Sequence, residues 1–138
     1  MESRQAPRFQ LKLDVKIILD DSTKKYFDIL KNNIIVEMLD ISILGAGLLS
    51  KHFFPVGALL KLNFDLLFGQ YNDQIEPINV SGEVRSAVSG GRGFTRIGVK
   101  FLDLTKEQKD AISRFIDEHE RRKAPRLIIS KYKTLDNE

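Results

Sequence analysis

The chain has 138 residues, a formal net charge of +3 and no cysteine. This length is sufficient for one domain with a continuous core. The lack of cysteine excludes disulfide scaffolds, thiolate catalysis and cysteine-ligated zinc. A polar, charged start and the lack of a long apolar run predict neither a signal peptide nor membrane insertion, so we expect a cytoplasmic protein.

The first third of the chain predicts two strands. Residues 11–17 alternate between apolar and charged side chains, which is the period of a half-buried strand. A polar turn follows over residues 20–25, and the apolar stretch from Ile34 to Ile41 predicts a more fully buried strand. We expect Gly45 and Gly47 to interrupt the chain before the next apolar pair.

The middle third continues the strand pattern. Residues 60–66 alternate after a Pro-Val-Gly turn signal and predict a further strand. A polar connection covers residues 70–77. Two more strands are predicted at 78–88 and 94–101, and the short glycine-rich link between them predicts a hairpin.

The pattern changes once, to a helical one, near Thr105. Residues 105–108 have the form of a capping box, and Ile112, Phe115 and Ile116 follow at helical spacing. We expect this helix to end near Arg122, because Pro125 disfavours its continuation. The predicted domain therefore covers residues 1–123, followed by a basic tail over 124–138.

Several short strands followed by one helix favour a mainly β protein, a small antiparallel barrel or sandwich rather than a parallel α/β sheet. A barrel needs its open end covered. The single helix, with one apolar stripe, is the natural cover.

Two motifs carry the functional interpretation. Arg4 and Arg8 form an RxxxR pair before the first strand, and Asp40, Ser42 and Gly45 form a DxSxxG string at the end of an early strand. RxxxR alone is weak, since the chain repeats it at Arg92/Arg96 and at Arg122/Arg126. The DxSxxG string is expected in only about a few per cent of chains of ordinary composition, and it carries most of the weight.

In this order, the two motifs resemble the signature of the PilZ family, over roughly residues 4 to 120. The segment from Ile97 to Phe101 looks like the last barrel strand of that family. The resemblance implies a six-stranded antiparallel PilZ-type β-barrel with one C-terminal α-helix. It also implies a receptor for the bacterial second messenger cyclic di-GMP, with this ligand and no cofactor or metal.

The residue types suit that ligand. An arginine fork can meet the O6 and N7 acceptors of guanine or a phosphate, and it can lie flat on a purine face. An ionised aspartate accepts from the N1 and N2 donors of guanine. By resemblance, we assign Arg4 and Arg8 to phosphate and guanine contacts, Asp40 and Ser42 to the guanine side, and Gly45 to shape. Gly45 offers positive φ and lets the backbone come close to the ligand or to the arm.

Each motif also has a purely structural interpretation. The DxSxxG string is typical of a tight turn in which Asp and Ser bond nearby amides, and terminal arginines are commonly solvated. Arg92 and Arg96, spaced to share a strand face, indicate either a basic rim on the barrel or additional ligand contacts.

The pair Arg122/Arg126 indicates either a second clasp, on its own barrel or a neighbour's, or a contact surface. His52 and His119 lack metal-ligand neighbours and are expected to be structural or exposed. Many members of the family that bind a stacked pair of ligands have a basic residue at the position that Ser3 occupies here. The resemblance therefore leaves open whether this chain binds one ligand or two.

We therefore expect a non-enzymatic receptor whose arm, carrying Arg4 and Arg8, closes on cyclic di-GMP and signals to a partner protein. No DNA binding is expected, and homodimer formation stays open. The main alternative is a PilZ-like interaction module that does not bind the nucleotide. A second alternative, a nucleic-acid-binding barrel that uses the basic tail, predicts strong salt dependence.

Overall fold

The computed structural model describes residues 8–19 and 33–136, with side chains for residues 8–19 and 34–122. Six strands and one helix follow one another in this part of the chain: β1 Phe9–Leu19, β2 Asn33–Ile41, β3 Gly45–Ser50, β4 Leu59–Phe68, β5 Gln74–Gly91, β6 Phe94–Phe101 and α1 Lys106–Asp136. The strands close a barrel in the order β1-β2-β3-β6-β5-β4, and all neighbours are antiparallel. The predicted fold class is confirmed.

The barrel interior is filled by the apolar positions of alternating strands. In β4, for example, Leu60, Leu62, Phe64 and Leu66 are all buried while Lys61 and Asp65 are exposed. Every second residue of a strand faces the same side, so this alternation sends one set of side chains into the core. The core is continuous, with a contribution from all six strands and from the helix.

Helix α1 begins with the predicted capping box. The backbone N–H of Gln108 donates to Oγ1 of Thr105 at 3.1 Å, and the N–H of Thr105 donates to Oε1 of Gln108 at 3.0 Å. Two amides that the helix cannot satisfy internally thereby find partners. The same Gln108 side chain donates through Nε2 to the carbonyl of Asn79 at 2.7 Å and ties the helix start to β5.

The helix covers one end of the barrel through Phe115. Its ring centroid lies 6.0 Å from that of Phe9 and 5.9 Å from that of Phe68, in edge-to-face contacts on both sides. Ala111 and Ile112 are buried beside it. The expectation that the helix closes the barrel is confirmed. Through Phe115, the helix contacts the start of β1 and the end of β4, which are far apart in sequence.

The predicted end of the helix near Arg122 is wrong. The helical backbone continues through Pro125 to Asp136. The prediction treated proline as a terminator, whereas a proline removes one hydrogen bond and can bend a helix whose bonds on either side still form. No helix in the described residues is long and apolar enough to span a membrane.

Two strand boundaries also differ from the prediction. Gly45 and Gly47 lie inside β3 rather than interrupting the chain, and β5 begins at Gln74, within the predicted polar connection. In both places the cross-strand ladder overrides local composition: Gly45 and Gly47 pair with Lys100 and Gly98 of β6, and Gln74 pairs with Phe68 of β4. The predicted turn over residues 20–25 lies outside the described residues.

Candidate functional site

Asp40 owes its position to a bulge in β2. The inward residues Ile34, Val36 and Met38 follow a two-residue period that would also turn Asp40 into the core. The register shifts between Met38 and Asp40, so that Ile41 points inward instead. Bulges of this kind re-aim the side chains that follow them. The carboxyl group is therefore placed on the outer wall of the barrel.

On the outer wall, the Asp40 carboxylate joins Arg8 to β3. Its Oδ1 atom accepts from Nη1 of Arg8 at 3.1 Å and from the backbone N–H of Gly47 at 3.0 Å. A Cβ added to Gly47 would lie 2.9 Å from Oδ2 of Asp40, so the carboxylate lies directly against the glycine. This packing leaves Asp40 only 9% exposed although it points outward.

The remaining residues of the string form a closed turn beside this pair. Oγ of Ser42 accepts from the N–H of Leu44 at 3.0 Å, and the N–H of Ser42 donates to the carbonyl of Gly45 at 2.9 Å. The carbonyl of Leu44 accepts from the N–H of Phe101 at 2.9 Å, which fixes the turn to the end of β6. Ser42 thus has the turn-forming role of the structural interpretation.

Gly45 is required for a different reason from the one predicted. The glycines with positive φ in the described residues are Gly57, Gly69, Gly91 and Gly93, and Gly45 is not among them. A Cβ on Gly45 would instead overlap the carbonyl oxygen of Val99 in the neighbouring strand. Of the two roles proposed from sequence, positive φ is wrong. Close approach applies, but to the barrel backbone.

The two charged groups of this site are the guanidinium of Arg8 and the carboxylate of Asp40. The Arg8 side chain is 39% exposed and carries five N–H donors, of which the Nη1 group engages Asp40. The Nη1 group is therefore held against the outer wall of the barrel by the carboxylate. Among residues 8–19 and 33–136, no three His, Cys, Asp or Glu side chains come together in a group suited to a metal ion.

The sequence matches the PilZ domain over residues 2–118, which is most of the chain. The chain belongs to the PilZ domain family. A comparison with curated proteins gives no match for it.

Solved PilZ structures share its fold at low sequence identity. The PilZ domain of YcgR from Escherichia coli, solved with c-di-GMP, has 17% identity and a TM-score of 0.62, covering 91% of this chain and 98% of that one. The Bacillus subtilis inhibitor of motility, MotI/DgrA, has 17% identity and a TM-score of 0.70, with 89% of this chain covered. This chain spans 54% of the length of the Bacillus protein.

A third structure adds a different assembly. A PilZ protein from Xanthomonas campestris, described as a tetramer self-assembled through an unusual helical bundle, has 13% identity and a TM-score of 0.62. The alignment covers 87% of this chain and 89% of that one. At these identities, the likeness establishes the fold alone.

The two arginines of the β5–β6 hairpin do not share a face of this PilZ barrel. Arg92 lies in the turn with φ 56°, outside the strand, whereas Arg96 lies within β6 and is exposed. Along β6, Arg96 is two residues from Gly98, which pairs with Gly47 beside Asp40. Arg92 precedes Phe94, itself about 13 Å along the strand from Gly98. Only Arg96 is near the Asp40 site.

Arg122 is engaged elsewhere in the PilZ domain. Its Nη2 donates to Oε2 of Glu118 at 2.9 Å, and the same oxygen accepts from the N–H of Gly69 at 3.1 Å. This chain of bonds joins α1 to the β4–β5 turn, which is a structural role. Arg4 and the side chain of Arg126 lie outside the described part of the chain.

Two residues beside Asp40 were not assigned to the site from the sequence, Gly47 and Lys100. Gly47 supplies the N–H that anchors Asp40, and Lys100 is exposed on the outer face of β6, two residues beyond Gly98. Gly47 stands two residues after the motif glycine, and a strand glycine is itself a signal of close backbone approach. That Lys100 lies on the outer face could be predicted only once it was known which residues of β6 point into the core.

Proposed function

We propose that this PilZ domain is a receptor for cyclic di-GMP and has no catalytic step of its own. Ligand binding by Arg8 and Asp40 on the outer barrel wall is the core of the proposal. Membership of the PilZ family and the ligand named for the Escherichia coli structure support it. Arg4, Ser42 and Gly45 remain assigned to the same site, with Gly45 acting through the backbone and Ser42 through the turn.

The observation that carries the proposal is the ion pair between Arg8 and Asp40. It brings together one residue of each sequence motif, 32 positions apart, at 3.1 Å. Because the carboxylate also accepts from the Gly47 amide, the ion pair holds the arginine against the barrel. A preset guanidinium loses less conformational freedom on binding than a free side chain does.

The chemistry of the pair suits a guanine dinucleotide. The donors of Arg8 that do not engage Asp40 can bond a phosphate oxygen or the O6 and N7 atoms of guanine. The carboxylate of Asp40 is an acceptor for guanine N1–H and N2–H groups. Arg96 adds a further positive charge on the same face of the barrel.

Signalling to a partner protein is the second part of the proposal. Since Arg8 is already paired, it forms the fixed end of the arm, and the expected closure on ligand concerns the residues that precede it. The closed arm and ligand would together present a new surface for a partner protein. The expected cytoplasmic location, and homodimer formation as an open alternative, are kept with this proposal.

Isothermal titration calorimetry with cyclic di-GMP tests the receptor assignment. We expect micromolar or tighter binding by the wild-type chain and a loss of at least about tenfold for Arg8→Ala and for Asp40→Ala, since each removes a charge-assisted bond. Arg92→Ala is the matched control, because it removes the same side chain from the hairpin turn, away from the site. We expect its affinity to stay within about twofold of wild type.

Arg4→Ala and the double variant Arg122→Ala/Arg126→Ala extend the same titration. Arg4→Ala is expected to weaken binding, whereas the double variant is expected to bind like wild type because Arg122 is held by Glu118. No binding by the wild-type chain, or unchanged affinity in both Arg8→Ala and Asp40→Ala, refutes the assignment.

One observation favours the alternative of an interaction module without nucleotide binding. Arg8 bonds Asp40, and Ser42 is engaged within its own turn. Both motifs then have a structural use. This alternative predicts that cyclic di-GMP leaves the melting temperature of the wild-type chain unchanged and that Arg8→Ala lowers that melting temperature.

A further inference from the structure

A single row of residues runs across the outer wall of the barrel beside Asp40. The strand register places Asp40 opposite Gly47, Gly47 opposite Gly98, and Gly98 opposite Ser86. Four neighbouring strands, β2, β3, β6 and β5, each contribute one of these residues. The row therefore has a polar side chain at each end and two glycines between them.

Ser86 reaches this row through a second bulge, which repeats the arrangement at Asp40. On β5 the inward residues Ile78, Val80 and Val84 lie at even positions, and this period would turn Ser86 inward as well. The register shifts between Val84 and Ser86, and Ser86 is exposed. Two separate bulges thus place the only polar side chains of this row on the outer face.

Both polar side chains lean over the glycines. A Cβ added to Gly98 would lie 2.5 Å from Oγ of Ser86, and one added to Gly47 would lie 2.9 Å from Oδ2 of Asp40. Gly47 is buried beneath the carboxylate, whereas Gly98 stays partly exposed. Gly98 is therefore the more open of the two glycines, with the serine hydroxyl close over its backbone and the carboxylate one strand beyond.

Positive charge flanks this open backbone along β6. Arg96 and Lys100 are both exposed, and each lies two residues from Gly98 on the same face. Two residues of a strand span about 6.6 Å, so either ammonium or guanidinium group reaches a ligand that rests on Gly98. The row and its flanks thus combine two glycines, the hydrogen-bonding side chains of Asp40 and Ser86, and two cations.

We propose that Ser86 is a further ligand contact of this site and that Gly98 is the floor on which one base of the dinucleotide lies. The inference rests on the proposed function. Because Gly98 has no Cβ, the Ser86 hydroxyl lies close over the strand, and a planar ring resting there would contact the hydroxyl and the backbone together. The Ser86 hydroxyl donates to an acceptor of the base or of a phosphate, while Asp40 accepts from the donor edge of guanine.

The role has two separable parts, a hydroxyl and a small volume. Ser86→Ala removes only the hydroxyl, and loss of one hydrogen bond is expected to weaken cyclic di-GMP binding about three- to tenfold. Ser86→Val removes the hydroxyl and adds methyl groups over Gly98. We expect it to weaken binding more than Ser86→Ala does, because the floor is then blocked. Gly98→Ala should act like Ser86→Val, since its Cβ meets the Ser86 hydroxyl.

Calorimetric titration of these variants with cyclic di-GMP, alongside wild type and Asp40→Ala, tests the inference. Ser81→Ala is the matched control, because Ser81 lies on the same strand opposite Lys61 of β4, outside the row. Thermal melting of each variant in the absence of ligand separates lost affinity from lost folding. Ser86 is exposed, so both of its variants are expected to melt within about 3 °C of wild type.

The outcomes distinguish this inference from the function on which it rests. If wild type does not bind cyclic di-GMP, the proposed function fails and the role of Ser86 fails with it. If wild type binds and Asp40→Ala weakens binding, but Ser86→Ala and Ser86→Val both stay within twofold, Ser86 is not a contact and only this inference is overturned. The inference is supported if Ser86→Ala weakens cyclic di-GMP binding, Ser86→Val weakens it more, and Ser81→Ala binds like wild type.

Discussion

Replacement of Gly45 by alanine is expected to destabilise the barrel without any involvement of ligand. The new Cβ would overlap the carbonyl oxygen of Val99 and would lie 3.1 Å from its carbonyl carbon and 3.3 Å from Cα of Lys100. All three are backbone atoms of β6, the strand paired with Gly45, so no side-chain rotation relieves the contact. The two strands must separate at this end of the ladder.

The magnitude follows from the cost of forcing extra volume into a packed site, which is about 1–3 kcal/mol. For a domain of this size, about 2 kcal/mol corresponds to a fall in melting temperature of about 8 °C. Differential scanning calorimetry or circular dichroism measures this shift on the ligand-free chain. The turn between Ser42 and Leu44 should loosen when the strands separate, because the Leu44 carbonyl accepts from the N–H of Phe101 in β6.

Gly90→Ala provides the matched control. Gly90 is also a strand glycine without positive φ, but its added Cβ would lie 3.3 Å from Cδ1 of Leu49 and 3.5 Å from Cγ of Arg96, which are ends or middles of flexible side chains. We expect its melting temperature to stay within about 2 °C of wild type. If Gly45→Ala melts like Gly90→Ala, the steric reasoning about the motif glycine is refuted.

Three further substitutions test the capping of the helix and its packing on the barrel, each by urea unfolding. Phe115→Ala should cost about 3–4 kcal/mol, because it empties the seal between Phe9 and Phe68; a cost below about 1 kcal/mol would contradict that packing. Thr105→Ala should cost about 1 kcal/mol through loss of the helix cap, and no change would rule the cap out. Glu118→Ala should cost about 1–2 kcal/mol, more than Arg122→Ala, because only the carboxylate bonds the Gly69 amide; the reverse order would contradict this role.

The sequence predicts much of the fold because the local signals agree with the barrel. The alternation in residues 11–17 and 60–66 and the capping box at Thr105 each reappear in the structure. The errors fall where a local signal competes with tertiary pairing. Gly45 and Gly47 read as an interruption, yet pairing with β6 holds both in a strand, and Pro125 reads as a stop within a helix that continues.

Arg8 and Asp40 are 32 positions apart, and the sequence links them only through the order of the two motifs. That Arg8 reaches Asp40 could be expected from the resemblance, but the Gly47 amide that holds the carboxylate could not. In the segment from Ile34 to Ile41 the apolar residues are nearly continuous, so the sequence does not reveal where the inward period changes. The bulge is visible only once the register of β2 against β3 is known.

The two bulges keep the core apolar while they place two polar side chains on the outer wall. Had β2 and β5 kept a strict two-residue period, Asp40 and Ser86 would face the core, where an unpaired carboxylate is costly. One extra residue in each strand turns both polar groups outward and turns Ile41 and Ala87 toward the interior instead. The apolar core therefore stays complete while two polar groups are directed at the same pair of outer glycines. Two strands, β3 and β6, lie between the bulges. The distance between Asp40 and Ser86 is therefore set by the spacing of the barrel strands and not by the flexibility of a loop.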